Sequence, residues 1–253
     1  MMKFVRISFL AFVITFLTQP FIAALGRREI PIPMRTSVIV PCHYKHFYLL
    51  PDLIDYYAQQ HVRPDEFIIS LTTSQKKYIP TDLIECVLTK QYPFVVKIVE
   101  DENEYPGENR NAACRASTGD ILLCQDADDL PHPQRMEFIK YLFENYKVDF
   151  LIHRLFLNEG NFPNYSLQDI VHNSCYVSDY STIFDRYGSI SNGVHNGVVV
   201  ITRAVFDQFQ WPDFKLGEDM TFNRHVIESH QFHTVVTDAY LILYRNYLSS
   251  YQN

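Results

Sequence analysis

The residues with the clearest chemical potential are three carboxylates within four positions, Asp126, Asp128 and Asp129. They follow the mostly apolar segment 120–124, whose composition predicts a buried strand. Carboxylates this crowded raise one another's pKa unless a cation neutralises them, and hard oxygen ligands of this kind suit Mg²⁺ or Mn²⁺. The pattern therefore predicts a site for a divalent cation and a diphosphate, with an acidic turn that caps the next helix as the alternative.

A second acidic pair, Glu218 and Asp219, follows Gly217 and stands at the start of a helix predicted to extend to Ser229. A carboxylate at this position can simply cap the helix and interact with its dipole. The same position suits a general base if the end of the helix faces a cleft. The sequence leaves both interpretations open.

The elements that must position these carboxylates alternate between strand and helix. Apolar, β-branched runs predict strands at 36–41, 66–70, 94–99, 120–124, 148–155 and 198–202, with one or two more within 234–244. Helical spacing predicts helices at 52–60, 81–88, 108–118, 133–146 and 219–229. Residues 158–193 read as irregular. The alternation predicts an α/β fold, with a single mostly parallel central sheet, helices on both faces, and ligands at the carboxyl ends of strands.

Composition and charge exclude several classes of protein. The chain has 253 residues, of which 47% are hydrophobic and 20% charged, as in an ordinary globular protein. The net charge is −7, and the first 30 residues carry +3, so the remainder is strongly acidic, which argues against a nucleic-acid partner. Five cysteines without a Cys-x-x-Cys pair indicate neither a zinc site nor a dense disulfide framework, although one disulfide is possible in an oxidising compartment.

The N-terminal segment differs from the rest of the chain. No charged residue occurs from Ile7 to Gly26, and basic residues flank this segment on both sides. Such a length could just span a bilayer, and a cleaved signal peptide fits as well. We therefore predict a signal-anchor or signal peptide at 1–30, a linker at 31–35 and one domain at 36–253. The predicted localisation is a single-pass membrane anchor, in the secretory lumen of a eukaryote, with secretion after cleavage as the alternative.

The order of motifs resembles that of the inverting family-2 glycosyltransferases with the GT-A fold. The resemblance covers about 36–250, through segments 38–43, 107–121, 126–129, 197–206 and 218–219, and loosely through the closing loop 244–249. It implies a Rossmann-like nucleotide-binding half joined to an acceptor half. It also implies an enzyme that moves a hexosyl or N-acetylhexosaminyl group from a nucleotide-diphosphate sugar, a UDP-sugar first, to a hydroxyl of a glycan, glycoprotein or lipid.

The resemblance also implies roles for single residues. Asp126 would contact the uridine and, with Asp128, the Mn²⁺ or Mg²⁺ ion, while Asp219 beside Glu218 would deprotonate the acceptor. Further donor-binding candidates are Pro41, His43, Arg110, Asn111 and Arg245. A surface ion pair is the alternative for Arg110. Trp211 could stack on an acceptor sugar or pack in the core.

Two departures from the family pattern leave other functions open. Residues 70–74 contain no acidic residue that could read the nucleobase, and Tyr247 stands where the family often has histidine. Nearby histidines that could substitute are His225, His230 and His233. One alternative is therefore a non-catalytic protein that binds nucleotide or glycan. A separate alternative is an aspartyl-nucleophile phosphatase, because segment 121–128 loosely resembles a strand that ends in Asp-x-Asp. It fits less well because that class usually carries this motif on the first strand.

Overall fold

The computed structural model describes residues 25–102, 104–157, 161–187 and 195–245. The strands in this part of the chain are β1 (Thr36–Cys42), β2 (Glu66–Thr72), β3 (Val95–Asp101), β4 (Ile121–Cys124), β5 (Leu130–Pro131), β6 (Phe150–Leu157), β7 (Ser174–Tyr176), β8 (Val199–Thr202) and β9 (Thr234–Tyr244). The helices are α1 (Leu50–Ala58), α2 (Thr73–Lys76), α3 (Thr81–Thr89), α4 (Pro106–Ala116), α5 (Arg135–Asn145), α6 (Leu167–His172), α7 (Tyr180–Tyr187), α8 (Arg203–Gln208) and α9 (Glu218–Glu228). Two 3₁₀ turns occupy Tyr44–Leu49 and Asn196–Val198.

The strands form one sheet in the order β3-β2-β1-β4-β8-β6-β9-β5, and β7 pairs with β9. The half β3-β2-β1-β4 is entirely parallel. In the other half β6 is parallel to β9, whereas β8 is antiparallel to both of its neighbours, and β5 and β7 are antiparallel to β9. The predicted α/β fold class is confirmed. The parallel half places the carboxyl ends of β1, β2 and β4 at one edge, where the site lies.

Apolar side chains cover both faces of the sheet. Along β1, Val38 and Val40 lie in one hydrophobic cluster with residues of α1 and α5. Ile39, between them, lies in a second cluster with residues of α4, α8 and α9. Successive residues of a strand point to opposite faces, so a strand that is apolar at every position must be covered on both sides. The prediction of helices on both faces is therefore confirmed.

The segment 158–193 contains more regular structure than its sequence suggested. Its described part includes α6, β7 and α7, while 158–160 and 188–194 lie outside the described residues. Helix α6 has six residues and begins with a capping box in which Ser166 and Asp169 exchange hydrogen bonds. Strand β7 has three residues. Elements this short show little periodicity, and their stability comes from packing rather than from local propensity.

The first described residues lie along the end of α5. The Arg28 N–H donates to the Asn145 carbonyl at 2.7 Å, and the Ile32 N–H donates to the Glu144 carbonyl at 3.1 Å. Most of the predicted anchor, 7–24, lies outside the described residues. Within the residues that the structure does describe, no helix is both long and apolar enough to cross a membrane. The predicted single-pass localisation is therefore corrected, whereas the predicted domain boundaries at 31–35 and 36–253 stay predictions.

Candidate active site

A cavity of about 820 Å³ lies at the carboxyl ends of β1 and β4. Its wall consists of the turn after β1, the start of α4, the acidic loop after β4 and the start of α9. The segments that carry the predicted chemistry, although distant in sequence, therefore face one space. The predicted site residues that line it are Pro41, His43, Arg110, Asp126, Asp128, Glu218 and Asp219.

The acidic loop 126–129 is held by the side chain of Gln125. This buried amide donates to the backbone carbonyls of Asp126 and Asp129 at 2.8 and 3.2 Å. Its oxygen accepts hydrogen bonds from the Tyr57 hydroxyl and the Arg135 guanidinium, both at 2.7 Å. A loop tied down at both ends in this way presents its carboxylates in a defined direction.

Arg135 lies beneath the loop and is fully buried. Its guanidinium donates to the backbone carbonyls of Cys124 and Gly197 at 2.9 and 2.7 Å and to His153 Nε2 at 3.0 Å. Burial and Arg135 together lower the pKa of His153 well below its ordinary value, so this nitrogen accepts the hydrogen bond. The sequence carries one signal of this role, an arginine beside the apolar residues Met136 and Phe138 at the start of α5, but the pattern alone does not identify what the arginine contacts.

Gly197 allows the Asn196–Val198 turn to approach the acidic loop closely. A Cβ atom at this position would lie 2.9 Å from Asp126 Oδ2. That distance is shorter than any ordinary contact, so a larger residue would displace the Asp126 carboxylate. The absence of a side chain at Gly197 thus helps to set where Asp126 can lie.

The carboxylates of the acidic loop are crowded and largely buried. Burial raises the pKa of Asp128, and the charge of Asp126 raises it further. The same causes hold the pKa of Asp129 well above its ordinary value. Asp128 Oδ2 lies 3.7 Å from Nδ1 of His46, a cavity residue that the sequence did not suggest. A cation at this place would favour the ionised carboxylates, in accordance with the chemistry predicted from the motif.

Arg245 braces the same loop. Its backbone N–H donates to Asp129 Oδ1 at 3.1 Å, and its Nε donates to the backbone carbonyl of Asp128. These two bonds give Arg245 a supporting role in the loop, and its predicted contact with a phosphate stays a prediction. Tyr247 and Ser249, which belong to the same predicted motif, lie outside the described residues.

Arg110 connects the two acidic segments. Its side chain is only 3% exposed, with Nη2 3.4 Å from Asp126 Oδ1 and Nη1 3.9 Å from Glu218 Oε1. Burial alone would lower the pKa of Arg110, but the surrounding carboxylates outweigh it and raise that pKa. The guanidinium therefore stays charged. Because the residue is buried, the alternative of a surface ion pair is wrong.

The second acidic segment contains one buried and one accessible carboxylate. Gly217 takes a positive φ of 82° at the N-cap of α9, a conformation that glycine adopts without strain. Glu218 is buried, with Oε1 3.4 Å from Asn196 Nδ2, and burial raises its pKa although Arg110 opposes the shift. Asp219 is half-buried at the cavity wall, and its Oδ1 accepts the Met220 N–H at 2.7 Å. Asp219 is thus the carboxylate that a substrate hydroxyl could reach.

Trp211 and Asn111 have structural roles. The Asn111 amide exchanges two hydrogen bonds with the Trp211 backbone, at 2.8 and 3.0 Å. The indole is 2% exposed, stacks on Phe222 at 4.0 Å between ring centroids and donates from Nε1 to Asn196 Oδ1 at 2.8 Å. A ring buried in this way offers no face to a sugar, so of the two interpretations of Trp211 the structure favours packing in the core. Asn111 holds the loop before α9, and its predicted contact with the donor stays a prediction.

The end of β2, where the sequence departs from the family pattern, is uncharged but hydrogen-bonded. The Asn109 amide donates to Thr72 Oγ1 at 3.0 Å and accepts from Ser70 Oγ at 3.2 Å. Thr72 and Asn109 both line the cavity. The histidines of the lining are His43, His46 and His195, not the three near α9 that the sequence offered as substitutes.

Comparison with known proteins agrees with this geometry. The model for "Glycosyl transferase family 2" matches residues 37–208. An uncharacterized glycosyltransferase of Haemophilus influenzae is 31% identical over 129 residues, which are 49% of this chain and 41% of that protein. One of Nostoc is 28% identical over 129 residues, or 51% and 38% of the two chains. The chain thus spans less than half the length of these curated relatives.

Two solved structures show the same fold at low sequence identity. S. aureus TarS in complex with UDP-GlcNAc matches with a TM-score of 0.59 and 19% identity, over 84% of this chain and 59% of that one. The Pyrobaculum calidifontis mannosyltransferase PcManGT, in complex with GDP-Man and Mn²⁺, matches with a TM-score of 0.55 and 17% identity, over 85% and 59%. The predicted GT-A fold is confirmed. Because the family model covers most of the chain, this protein belongs to glycosyl transferase family 2.

Proposed function

We propose that the chain is an inverting, metal-dependent glycosyltransferase that moves a sugar from a nucleotide-diphosphate sugar to an acceptor hydroxyl. The observation that carries this proposal is the single cavity in which the acidic loop 126–129 and the accessible Asp219 face the same space. Arg110 bridges the two acidic segments and keeps them together. Family membership supports the reaction class, and it leaves the phosphatase alternative without support.

The residues at the acidic loop fit a divalent cation. Asp128 would hold it, with Asp126 close by, and both carboxylates reach the cavity. Among the described residues no group of three or more His, Cys, Asp or Glu side chains is arranged to hold a metal ion alone. Mg²⁺ and Mn²⁺ commonly complete their coordination with substrate phosphates and water, so a site of this kind would form together with the donor. Such an ion would stabilise the charge that develops on the departing diphosphate.

Asp219 is the proposed general base. Its carboxylate would take the proton of the acceptor hydroxyl while the acceptor oxygen forms a bond to the anomeric carbon of the donor. The bond from that carbon to the diphosphate oxygen breaks, and its electron pair leaves with the nucleoside diphosphate. Attack from the face opposite the leaving group inverts the anomeric centre. Glu218 is instead assigned to positioning, because its carboxylate is buried against Arg110 and Asn196.

The proposed class of sugar donor is supported by the ligands of two structural neighbours and by the polar groups at one edge of the cavity. TarS is solved with UDP-GlcNAc and PcManGT with GDP-Man. Thr72 and Asn109 present hydroxyl and amide groups at the end of β2, and such groups can pair with more than one nucleobase. We therefore propose a UDP-sugar first and a GDP-sugar second, with a glycan, glycoprotein or lipid hydroxyl as the acceptor.

The test is a thermal-shift screen of UDP-GlcNAc, UDP-glucose and GDP-mannose, each with and without Mn²⁺. A ligand that binds the folded state raises the melting temperature, by an amount that grows with concentration above its Kd. We expect at least one donor to stabilise the protein in an Mn²⁺-dependent manner. Release of nucleoside diphosphate from that donor in the presence of acceptor then tests turnover. Stabilisation without any turnover would favour the non-catalytic alternative, and no stabilisation would contradict the proposed donor site.

A further inference from the structure

The imidazole of His46 is one of the cavity groups that the proposed mechanism leaves unused. It is 8% exposed, and Nδ1 faces Asp128 Oδ2 across 3.7 Å. Within the described part of the chain the ring makes no hydrogen bond. It approaches the ring of His43 edge-on, with centroids 6.2 Å apart. A buried, polar ring with a free nitrogen is therefore directed at the carboxylate that would hold the cation.

The 3₁₀ turn Tyr44–Leu49 fixes this orientation. His43 accepts the Lys45 N–H at its Nδ1, at 3.3 Å, and its backbone carbonyl accepts the His46 N–H at 2.9 Å. The next residue, Phe47, is buried in the core under the turn. His43 thus holds the turn before His46, and Phe47 anchors it after His46. The imidazole between them lines the cavity and is shielded from solvent.

The spacing between the two groups suits a shared ion. Neighbouring ligand atoms of a six-coordinate ion with bonds of about 2.1 Å lie about 3 Å apart. The observed 3.7 Å between His46 Nδ1 and Asp128 Oδ2 is too long for a hydrogen bond and needs a shift of less than about 1 Å to reach that geometry. Neutral imidazole is a frequent metal ligand in proteins.

We propose that His46, together with Asp128, is a protein ligand of the divalent cation in the donor site, and that it makes this site prefer Mn²⁺ to Mg²⁺. This inference rests on the proposed function. An imidazole nitrogen suits transition metals better than it suits Mg²⁺, which keeps to carboxylate, phosphate and water oxygens. A site with Asp128 alone and the donor phosphates would lack that source of preference.

The direct test is pulsed electron paramagnetic resonance of Mn²⁺ bound to the untagged protein in the presence of UDP, and separately of GDP. Histidine nitrogen on the ion gives a ¹⁴N modulation that oxygen ligands do not give. We expect this modulation in the unmodified protein and its loss in His46→Ala and His46→Asn. His61→Asn is the matched control, because His61 also faces a carboxylate, Glu137 at 3.3 Å, but is exposed and away from the cavity.

Calorimetric titration with Mn²⁺ and Mg²⁺, again with UDP or GDP, measures the preference. We expect His46→Asn to weaken Mn²⁺ binding by about tenfold or more and Mg²⁺ binding by less than about threefold, since the lost ligand is one that Mg²⁺ uses little. His46→Asn keeps a polar side chain of similar reach, so it still tests the role of His46 if His46→Ala fails to fold. His61→Asn should leave both affinities unchanged.

The outcomes separate this inference from the proposed function. Binding of Mn²⁺ with an unchanged ¹⁴N signal in both His46 variants would overturn the role of His46 and leave the metal-dependent site intact. Failure of the unmodified protein to bind Mn²⁺ with either nucleotide would overturn both. Equal losses for Mn²⁺ and Mg²⁺ in His46→Asn would overturn the proposed selectivity.

Discussion

The two acidic segments of the cavity are supported in different ways. The loop 126–129 is tied down through the Gln125 amide, the buried guanidinium of Arg135 and the backbone of Arg245. The segment Glu218–Asp219 depends on one glycine with positive φ and on the first turn of α9. Crowding and burial raise the pKa of Asp128 and Asp129 in the first segment. In the second, only one carboxylate is buried, and Asp219 remains accessible.

This difference separates two tasks. A rigid group of buried carboxylates favours binding of a cation, because the cation removes the repulsion that burial intensifies. A single accessible carboxylate at the start of a helix can meet an incoming hydroxyl and accept its proton. Arg110 contacts both segments, so it is one residue through which a change in one segment would reach the other. The following variants test each part of this comparison.

The largest expected effect is that of Asp128→Ala. Loss of the proposed metal ligand should lower kcat/KM for sugar transfer by about 1,000-fold or more, since the ion stabilises the leaving group by several kcal/mol. Stabilisation by the nucleotide sugar with Mn²⁺ should disappear as well. Initial-rate and thermal-shift measurements check both, with the exposed Asp82→Ala as the control. Full Mn²⁺-dependent activity in Asp128→Ala would contradict the division of tasks.

Asp219→Asn should have the next largest effect, and on the chemical step alone. We expect kcat to fall by roughly 100- to 1,000-fold, as for loss of a general base. The dissociation constant of the donor with Mn²⁺ should change by less than about threefold, because this carboxylate does not touch the acidic loop. Asp213→Asn, on the exposed loop before α9, is the control. A large loss of donor affinity would show that the two segments do not act separately.

Arg110→Gln tests the connection between the segments. Removing this charge leaves Asp126 and Glu218 without their shared partner, which should lower the free energy of unfolding by about 3 kcal/mol. Arg115→Gln is a matched control on the same helix, because its side chain is 45% exposed and pairs with Glu108 at the surface. Its cost should be below about 1 kcal/mol. Denaturant unfolding compares the two variants, and equal costs would argue against a buried bridge.

The smallest expected effect is that of Glu218→Gln on how the free energy of unfolding depends on pH. Burial raises the pKa of Glu218 above its ordinary value near 4.5, so the folded protein binds this proton more tightly than the unfolded chain. The bound proton therefore stabilises the folded state fully at pH values below about 4.5, and this stabilisation is lost as the pH rises through the pKa of Glu218 in the folded protein. The free energy of unfolding of Glu218→Gln should therefore improve relative to the unmodified protein as the pH rises from about 4.5. Denaturant unfolding at several pH values measures this difference, and a constant difference would contradict it.

The parallel half of the sheet and the main carboxylates could be predicted because their signals are local. An apolar run followed by Asp126 and Asp128 indicates a strand and its end without reference to the rest of the chain. The positions of Arg135 and His46 could not be predicted in this way, and the choice between core and acceptor for Trp211 stayed open. Arg135 reaches the carbonyl of Gly197, and the Trp211 indole is buried by α9, so both depend on contacts between distant segments.

The resemblance to a family identified more candidate site residues than composition did, but only residues inside the motifs of that family. It named Asp219 and Arg110, and both line the cavity. It also assigned substrate contacts to Asn111 and Arg245, whose hydrogen bonds go to neighbouring loops. A motif states which residue type stands at a position, whereas the side-chain direction is determined by packing that differs between members.

The buried guanidinium of Arg135 also affects how the molecule can open. Its partners come from α1, through Tyr57, from β4, through Cys124, from β6, through His153, and from the turn before β8, through Gly197. Among the described residues no carboxylate pairs with it, so its charge is balanced by these groups together with the Gln125 amide oxygen. If the two halves of the sheet separated, the Arg135 guanidinium would lose the partners that one half supplies, and its charge would be left incompletely paired. The two halves are therefore expected to unfold as one cooperative unit, with no stable state in which one half is folded alone.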